Sequence, residues 1–348
     1  MNSILKKDIE EINNSTIVDW EKFNNKKVFI TGSTGLIGSL LVKTFLYRNK
    51  VYNSNIKLYL LVRNKEKAIN MFGDNSEVTF FESSIEDFNE RDIEIDYIIH
   101  AASPTKSKYF VEKPIETIDT AVIGTKKLLE CAKNWNIKSM VYLSSMEMYG
   151  TLTSDNVLET DQGFIDPLNV RSSYSLSKRM CELYCYSYYS EEHIPVKIGR
   201  IAQTFGPGIS YEENRVYKSF ADSVINKTDI ILKSSGKTII NYSYTADTVL
   251  GLLCILLNGK NGEAYNLVGE KTNMTIYDSA KWLAEDVANN EIKVIIDIPK
   301  ENAGFAPDNN MILNNNKIKE LGWYPSHDIK DGYRRLIEYM KEGNYNEI

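Results

Sequence analysis

Residues 27–31 (KVFIT) run straight into Gly32, Ser33, Thr34, Gly35, Leu36, Ile37 and Gly38, and Leu40, Leu41 and Val42 then restore the apolar character. This pattern reads as a buried strand, a tight turn and the start of a helix. Glycine admits positive φ in the turn and lets a phosphate approach the backbone, and the free amides of a helix N-terminus stabilise its charge. The spacing of Gly32, Gly35 and Gly38 is that of a pyrophosphate cradle for a dinucleotide, and the strand expected at 56–62 completes a βαβ unit.

The alternation continues. Strands are expected at 78–81, 96–100, 138–144 and 195–201, and helices at 36–48, 116–134 and 173–190. Unbroken apolar strands between helices predict an α/β fold with a parallel, doubly wound Rossmann sheet. Three regions follow from this pattern: a helical extension over 1–26, a dinucleotide-binding domain over 27–202, and a smaller, mostly C-terminal α/β substrate-binding region over 203–348. Ile4, Leu5, Ile9 and Ile12 recur at helical spacing in the extension, with Trp20 to dock it. The third region carries expected helices at 214–226, 246–257, 276–288 and 328–341 and strands near 229–232 and at 264–268. It reads as a lid over the carboxyl ends of the strands, with part of 230–260 returning to the first domain.

A net charge of −6 without a dense Lys/Arg run argues against a nucleic-acid partner. The apolar run from Val249 to Leu257 is far too short to span a bilayer, and the first eight residues break into charge at once, so neither a membrane nor a secretory route is expected. Cys131, Cys181, Cys185 and Cys254 form no CxxC pair, which fits a reducing cytoplasm, and no metal site is expected.

Tyr174 and Lys178 stand four apart and share one helix face. A neighbouring ammonium and a cationic nicotinamide both favour a phenolate, so Tyr174 can exchange a proton with a hydroxyl while hydride moves to or from the same carbon. Ser145, at the end of strand 138–144, is placed to hydrogen-bond that oxygen. The same spacing at Tyr109/Lys113 and Tyr277/Lys281 lacks this setting. Glu147 stands beside Ser145 as a further acid or base, or as a carboxylate that orients a hydroxyl. His100, Ala101, Ala102 and Ser103 should line the cofactor groove.

With these motifs, together with Gly124-Thr125, Tyr149-Gly150, Arg200 and Phe205-Gly206-Pro207, the chain resembles the extended short-chain dehydrogenase/reductases of the NAD-dependent epimerase/dehydratase family, which modify nucleotide-diphosphate sugars. The resemblance implies an enzyme in which Tyr174 is the acid/base, Lys178 tunes it and holds the nicotinamide ribose, and Ser145 aligns the reacting oxygen. It also implies a homodimer through helices 116–134 and 173–190. Glu147 to Gly150, Arg171 to Tyr174 and Phe205 to Pro207 are most similar to UDP-glucuronate decarboxylases.

The departures narrow the reaction. Met146 stands where decarboxylases carry a hydroxyl and 4,6-dehydratases an acid, and a thioether has no proton to give. Ile240 stands where an arginine meets diphosphate or carboxylate, Gln203 replaces an asparagine, Ala121 replaces another, and Ser84 replaces an aspartate. Arg215 or Lys218 would then bind phosphate. The expected function is oxidation or reduction at C4 of a nucleotide sugar, by epimerisation or keto-sugar reduction, for surface polysaccharide precursors. UDP-glucuronate decarboxylation or sugar 4,6-dehydration is one alternative, and a non-catalytic NADP-binding scaffold or sensor is another. At the tip of the second strand, residues 60–65 (LLVRNK) hold no acid for a ribose hydroxyl, while Arg63 and Ser33 suit a 2′-phosphate, so NADP(H) is expected over NAD(H).

Overall fold

The computed structural model describes residues 1–105, 107–270, 274–298 and 310–343. Its main sheet is built from β1 (Lys27–Thr31), β2 (Lys57–Val62), β3 (Val78–Glu82), β4 (Tyr97–His100), β5 (Ser139–Ser145), β6 (Val196–Ile201) and β7 (Ala264–Leu267). The spatial order is β7-β6-β5-β4-β1-β2-β3, every pair parallel. The order reverses at β1, which opens a crevice between the carboxyl ends of β1 and β4, the switch point where ligands bind in such sheets.

Side-chain alternation divides the core between the two faces. Val28 and Ile30 pack with Leu40, Leu41, Phe45 and Val249, whereas Phe29 packs with Leu128, Leu129, Trp135 and Cys181. Helices Leu36–Tyr52 and Thr245–Asn258 therefore cover one face, and Pro114–Trp135 and Ser173–Glu192 the other.

The expected helix at 116–134 starts two residues earlier because Pro114 takes the first helical turn, where its missing N–H costs nothing. The expected helix at 276–288 is α-helical only over Ile276–Trp282 and continues as a π-helical turn, Leu283–Val287. The strand at 264–267 belongs to the main sheet rather than to a lid: it pairs in parallel with β6, and Tyr265, Asn266 and Leu267 are buried there. Helices Lys65–Phe72 and Ser107–Glu112 were not anticipated. Neither were the short parallel pairs Gln203–Phe205 with Tyr242–Tyr244 and Ser154–Val157 with Met311–Leu313.

The N-terminal helix Ser3–Asn14 is capped by the Asn2 side chain. It packs on the helices at 36–52, 245–258 and 329–341. Trp20 secures the following segment against Phe23 and Phe45, with ring centroids 6.0 and 6.3 Å away. The attachment is also ionic. Fully buried Asp8 accepts hydrogen bonds from the Tyr244 hydroxyl (2.7 Å) and Arg335 (2.8 Å). Glu11 pairs with Arg335 (2.7 Å) and with His327 (3.2 Å), which leans on Asp247 (3.1 Å).

Burial outweighs these partners at Asp8 and pushes its carboxyl up to about 6. Because the value is raised above that of the unfolded chain, the contribution of this group to stability is lost as pH rises through about 6. Arg335→Met removes the cation that offsets the ionised form. It is expected to cost about 3–5 kcal/mol at pH 8 and clearly less at pH 5, where Asp8 is neutral, as read from urea midpoints at the two pH values. Equal losses at both would mean that Arg335 acts through Glu11 and packing rather than through Asp8.

Candidate active site

The turn after β1 has the geometry of a phosphate cradle. Gly32 has φ +66°, and a Cβ there would lie 2.6 Å from the Ala101 backbone; a Cβ at Gly38 would lie 2.2 Å from the Gly32 carbonyl oxygen. Neither position accepts a side chain without moving backbone. The Gly35 amide closes the turn on the Gly32 carbonyl (3.0 Å), and the helix Leu36–Tyr52 begins with no capping side chain. Its first-turn amides are therefore available to an anion, with Thr34, Leu36 and Ile37 partly buried beside them. Ser33 is fully buried, and among the described residues its hydroxyl has no hydrogen-bond partner. An orphaned hydroxyl in a glycine cradle fits a dinucleotide pyrophosphate.

Across the crevice, Ala101, Ala102 and Ser103 follow β4. The Ala102 amide donates to the Thr31 hydroxyl (3.0 Å), which meets His100 Nδ1 (2.8 Å); His100 Nε2 meets the Thr125 hydroxyl (3.0 Å). Thr125 donates to Cys181 Sγ, and Cys181 to the Ala121 carbonyl. This order places the imidazole proton on Nε2 and leaves Nδ1 as acceptor. Burial, reinforced by the charge of Lys178, pulls His100 down to about 3. His100 is thus a neutral strut for the cofactor loop.

β5 ends at Ser145, whose hydroxyl accepts from the Glu147 amide (3.2 Å) and caps the short turn Met146–Tyr149. Tyr174 and Lys178 share one face of helix Ser173–Glu192, with the Ser145 hydroxyl near enough to the phenol to lower its proton affinity. Lys178 donates to the Leu143 carbonyl (2.8 Å), with its nitrogen 4.9 Å from the Tyr142 ring centroid and 5.5 Å from that of Tyr174. Burial pulls Lys178 down to about 8. In the chain alone, burial and the charge of Glu147 hold Tyr174 well above its ordinary value, against weaker lowering by Ser145, Arg215 and Arg171.

Phe110 stacks flat on Tyr174, centroids 4.4 Å apart and rings 7° from parallel, and fixes the phenol plane. The Glu147 carboxylate is taken up by Arg171 (3.0 Å), and Ser175 lies 3.5 Å away. The sequence marks Arg171 only as the start of the segment Arg171 to Tyr174, with no role of its own. Its guanidinium also sits over the Phe110 ring at 4.8 Å.

Gln203 opens the strand Gln203–Phe205 immediately beyond β6. Arg215 donates to the Thr105 carbonyl (2.9 Å) and pairs with Glu213 (3.6 Å), so it ties the loop after β4 to the helix Val216–Asn226. Lys218 is buried against Asp222 (2.7 Å), so of these two cations it is Arg215 whose charge reaches Tyr174. Ile240 is buried in the core, and Arg63 is exposed at the tip of β2. Arg200, also unforeseen in this role, forms a buried pair with Glu182 (2.7 Å) and donates to the Tyr149 hydroxyl (2.9 Å). Ser144 donates to the same glutamate.

Residues 28–268 match the model of the NAD dependent epimerase/dehydratase family. The chain belongs to this family. UDP-glucuronic acid decarboxylase 6 of Arabidopsis thaliana is 27% identical over 318 residues, covering 90% of this chain and 89% of that one. Among solved structures, epimerase Mth375 of Methanothermobacter thermautotrophicus superposes with a TM-score of 0.78 at 19% identity, covering 96% of this chain and 97% of that one. DesIV, the dTDP-glucose 4,6-dehydratase of Streptomyces venezuelae, determined with NAD and TYD bound, gives a TM-score of 0.74 at 21% identity, covering 91% and 98%. The chain is accordingly a nucleotide-sugar epimerase/dehydratase-family enzyme with an NAD(P)-binding Rossmann fold.

Gly38→Ala forces a methyl into the Gly32 carbonyl. It is expected to weaken nicotinamide dinucleotide binding by more than about tenfold, measured by titration of protein fluorescence. Unchanged affinity would contradict the cradle.

Proposed function

We propose that this protein reduces the C4 carbonyl of a nucleotide-diphosphate sugar at the expense of NADPH. The arrangement that carries the reading is Tyr174: a buried phenol, fixed in plane by the Phe110 ring beside the Ser145 hydroxyl at the end of β5, can give its proton to a carbonyl oxygen. Bound at the cradle, the reduced nicotinamide supplies the hydride. Tyr174 gives its proton to the oxygen, Ser145 hydrogen-bonds the same oxygen, and the Lys178 ammonium stabilises the phenolate left behind until solvent reprotonates it. The ketone becomes an alcohol, one NADPH becomes NADP, and one solvent proton is consumed. Arg215 and Gln203 bind the substrate from the loops beyond β4 and β6, and Glu147, oriented by Arg171, holds a sugar hydroxyl.

NADPH is favoured over NADH because Arg63 lies exposed at the β2 tip, where residues 60–65 themselves carry no acid, and Ser33, whose hydroxyl has no hydrogen-bond partner among the described residues, lies in the adjacent turn. The helices Pro114–Trp135 and Ser173–Glu192 expose Ile115, Ile118, Ile123, Met180, Leu183 and Tyr186, an apolar face that supports a homodimer. The reaction draws on cytoplasmic pools of NADPH and activated sugars, and its product is a glycan precursor. Among the described residues no helix is long and apolar enough to cross a membrane.

The curated relatives favour a second reading, decarboxylation of a nucleotide-linked uronic acid. A decarboxylase would release carbon dioxide and regenerate its cofactor, whereas the proposed reductase consumes one NADPH per sugar, which the nicotinamide absorbance band distinguishes. Tyr174→Phe is expected to lower kcat by about 10²–10⁴-fold with cofactor affinity retained. Unchanged turnover would leave a cofactor-binding scaffold as the better description. Arg63→Ala is expected to raise the Kd for NADPH while leaving that for NADH where it was; equal changes in both would remove the assignment to the 2′-phosphate.

A further inference from the structure

The N-terminal helix Ser3–Asn14 lies outside residues 28–268, the stretch that matches the family model, and so does Arg335. Apolar contact alone would hold this helix to the core: Leu5, Ile9 and Ile12 are buried there, the two isoleucines completely. Asp8 is nevertheless fully buried beside them, although burying a carboxylate costs free energy that an apolar side chain in its place would not. Apolar surfaces can slide past one another, whereas a hydrogen bond fixes one atom against another. What the carboxylate fixes is the Tyr244 hydroxyl (2.7 Å), with Arg335 (2.8 Å) on its other oxygen. From Tyr244 the contacts run to the substrate side. Parallel register sets Tyr244 opposite Phe205 and Tyr242 opposite Gln203, and the Gln203 amide donates to the Asn241 carbonyl (3.1 Å). The chain beyond Phe205 is pressed against the same tyrosine: a Cβ on Gly206 would lie 3.0 Å from the Tyr244 ring and 2.2 Å from the Thr245 hydroxyl. The Phe205 ring packs on Tyr217, centroids 5.4 Å apart, and the Tyr217 hydroxyl accepts from Arg215 (3.4 Å).

We propose that Asp8 is a positioning residue for substrate binding: through the Tyr244 hydroxyl it fixes the strand that presents Gln203 and the aromatic packing that reaches Arg215. The inference rests on the substrate role given to Gln203 and Arg215 above. The dinucleotide cradle closes on itself, the Gly35 amide on the Gly32 carbonyl, so loosening Tyr244 acts on the sugar nucleotide and not on the cofactor. A helix that the family model does not include thereby sets how firmly this chain holds its substrate.

The test titrates UDP-, dTDP-, CDP- and GDP-glucose calorimetrically into the full-length, cofactor-loaded protein, and NADPH separately into the free protein. Tyr244→Phe removes one hydroxyl and keeps the ring. It is expected to raise the Kd of the tightest-binding sugar nucleotide by about fivefold or more, with the Kd for NADPH within about twofold of the parent's. Asp8→Leu should match it, and the double variant should lose no more than either single one, because both changes break the same contact. Glu11→Gln weakens the pairs of the same helix with Arg335 and His327, and should lower Tm while leaving both dissociation constants in place. Single variants that lower Tm but keep sugar-nucleotide affinity, losses that multiply in the double variant, an equal loss for NADPH, or the same loss from Glu11→Gln would each overturn the inference and leave the role of Gln203 standing. Should none of the four probes bind the parent, or Gln203→Ala leave their affinity unchanged, the substrate role of this strand fails and the inference with it.

Discussion

A buried ammonium governs the chemistry of this site. Lys178 is taken out of water beneath Tyr174 and held by a single backbone carbonyl, that of Leu143, one residue before the Ser144–Ser145 pair. Its charge helps to keep His100 neutral, and a neutral His100 lets the hydrogen-bonded chain from Ala102 through Thr31 and Thr125 run in one direction. The cost of burying the ammonium appears in its own lowered proton affinity, near 8. It is offset when a negative charge arises next to it, which is what proton donation by the phenol produces. Ground-state strain and catalytic use are thus two aspects of one arrangement.

The scaffold beneath is polar where an α/β core is usually apolar. Arg200 and Glu182 join β6 to the helix that carries Tyr174, and the Tyr149 hydroxyl continues the network to Asn266 on β7 (2.7 Å). Asn266 in turn holds the carbonyls of Val157 and Asn314 (3.0 Å each), which anchors the edge strands. Every charge in this network has a partner, a condition for burying it without large loss. The network also sets the distance between Ser145 on its strand and Tyr174 on its helix, so small errors in backbone position are not absorbed by the reacting groups.

What was legible in the sequence was local. The glycine cradle and the Tyr174/Lys178 pair are spelled out within a few residues, because turn geometry and helix periodicity act at short range. The same holds for the strands at 28–30, 58–62, 97–99 and 140–143, whose apolar runs are continuous. The partners of Glu147 were not legible: Arg171 stands 24 positions away and its relation to the carboxylate comes from how the turn Met146–Tyr149 meets the start of the next helix. Its place three residues before Tyr174 was the available signal. The three- and four-residue strands were equally hidden, since their pairing is made by tertiary contact rather than by periodicity. The assignment of 264–267 to a lid failed for a related reason: a short strand after a long helix carries no mark of which sheet it joins.

The most direct measurement of the central claim follows the hydride. With NADPH deuterated at the transferring position of its nicotinamide and a nucleotide-linked 4-keto sugar, the account predicts deuterium at C4 of the sugar product, one atom for each oxidised cofactor. Conversion of the sugar with no deuterium at C4, or with the label still on the nicotinamide, would contradict it.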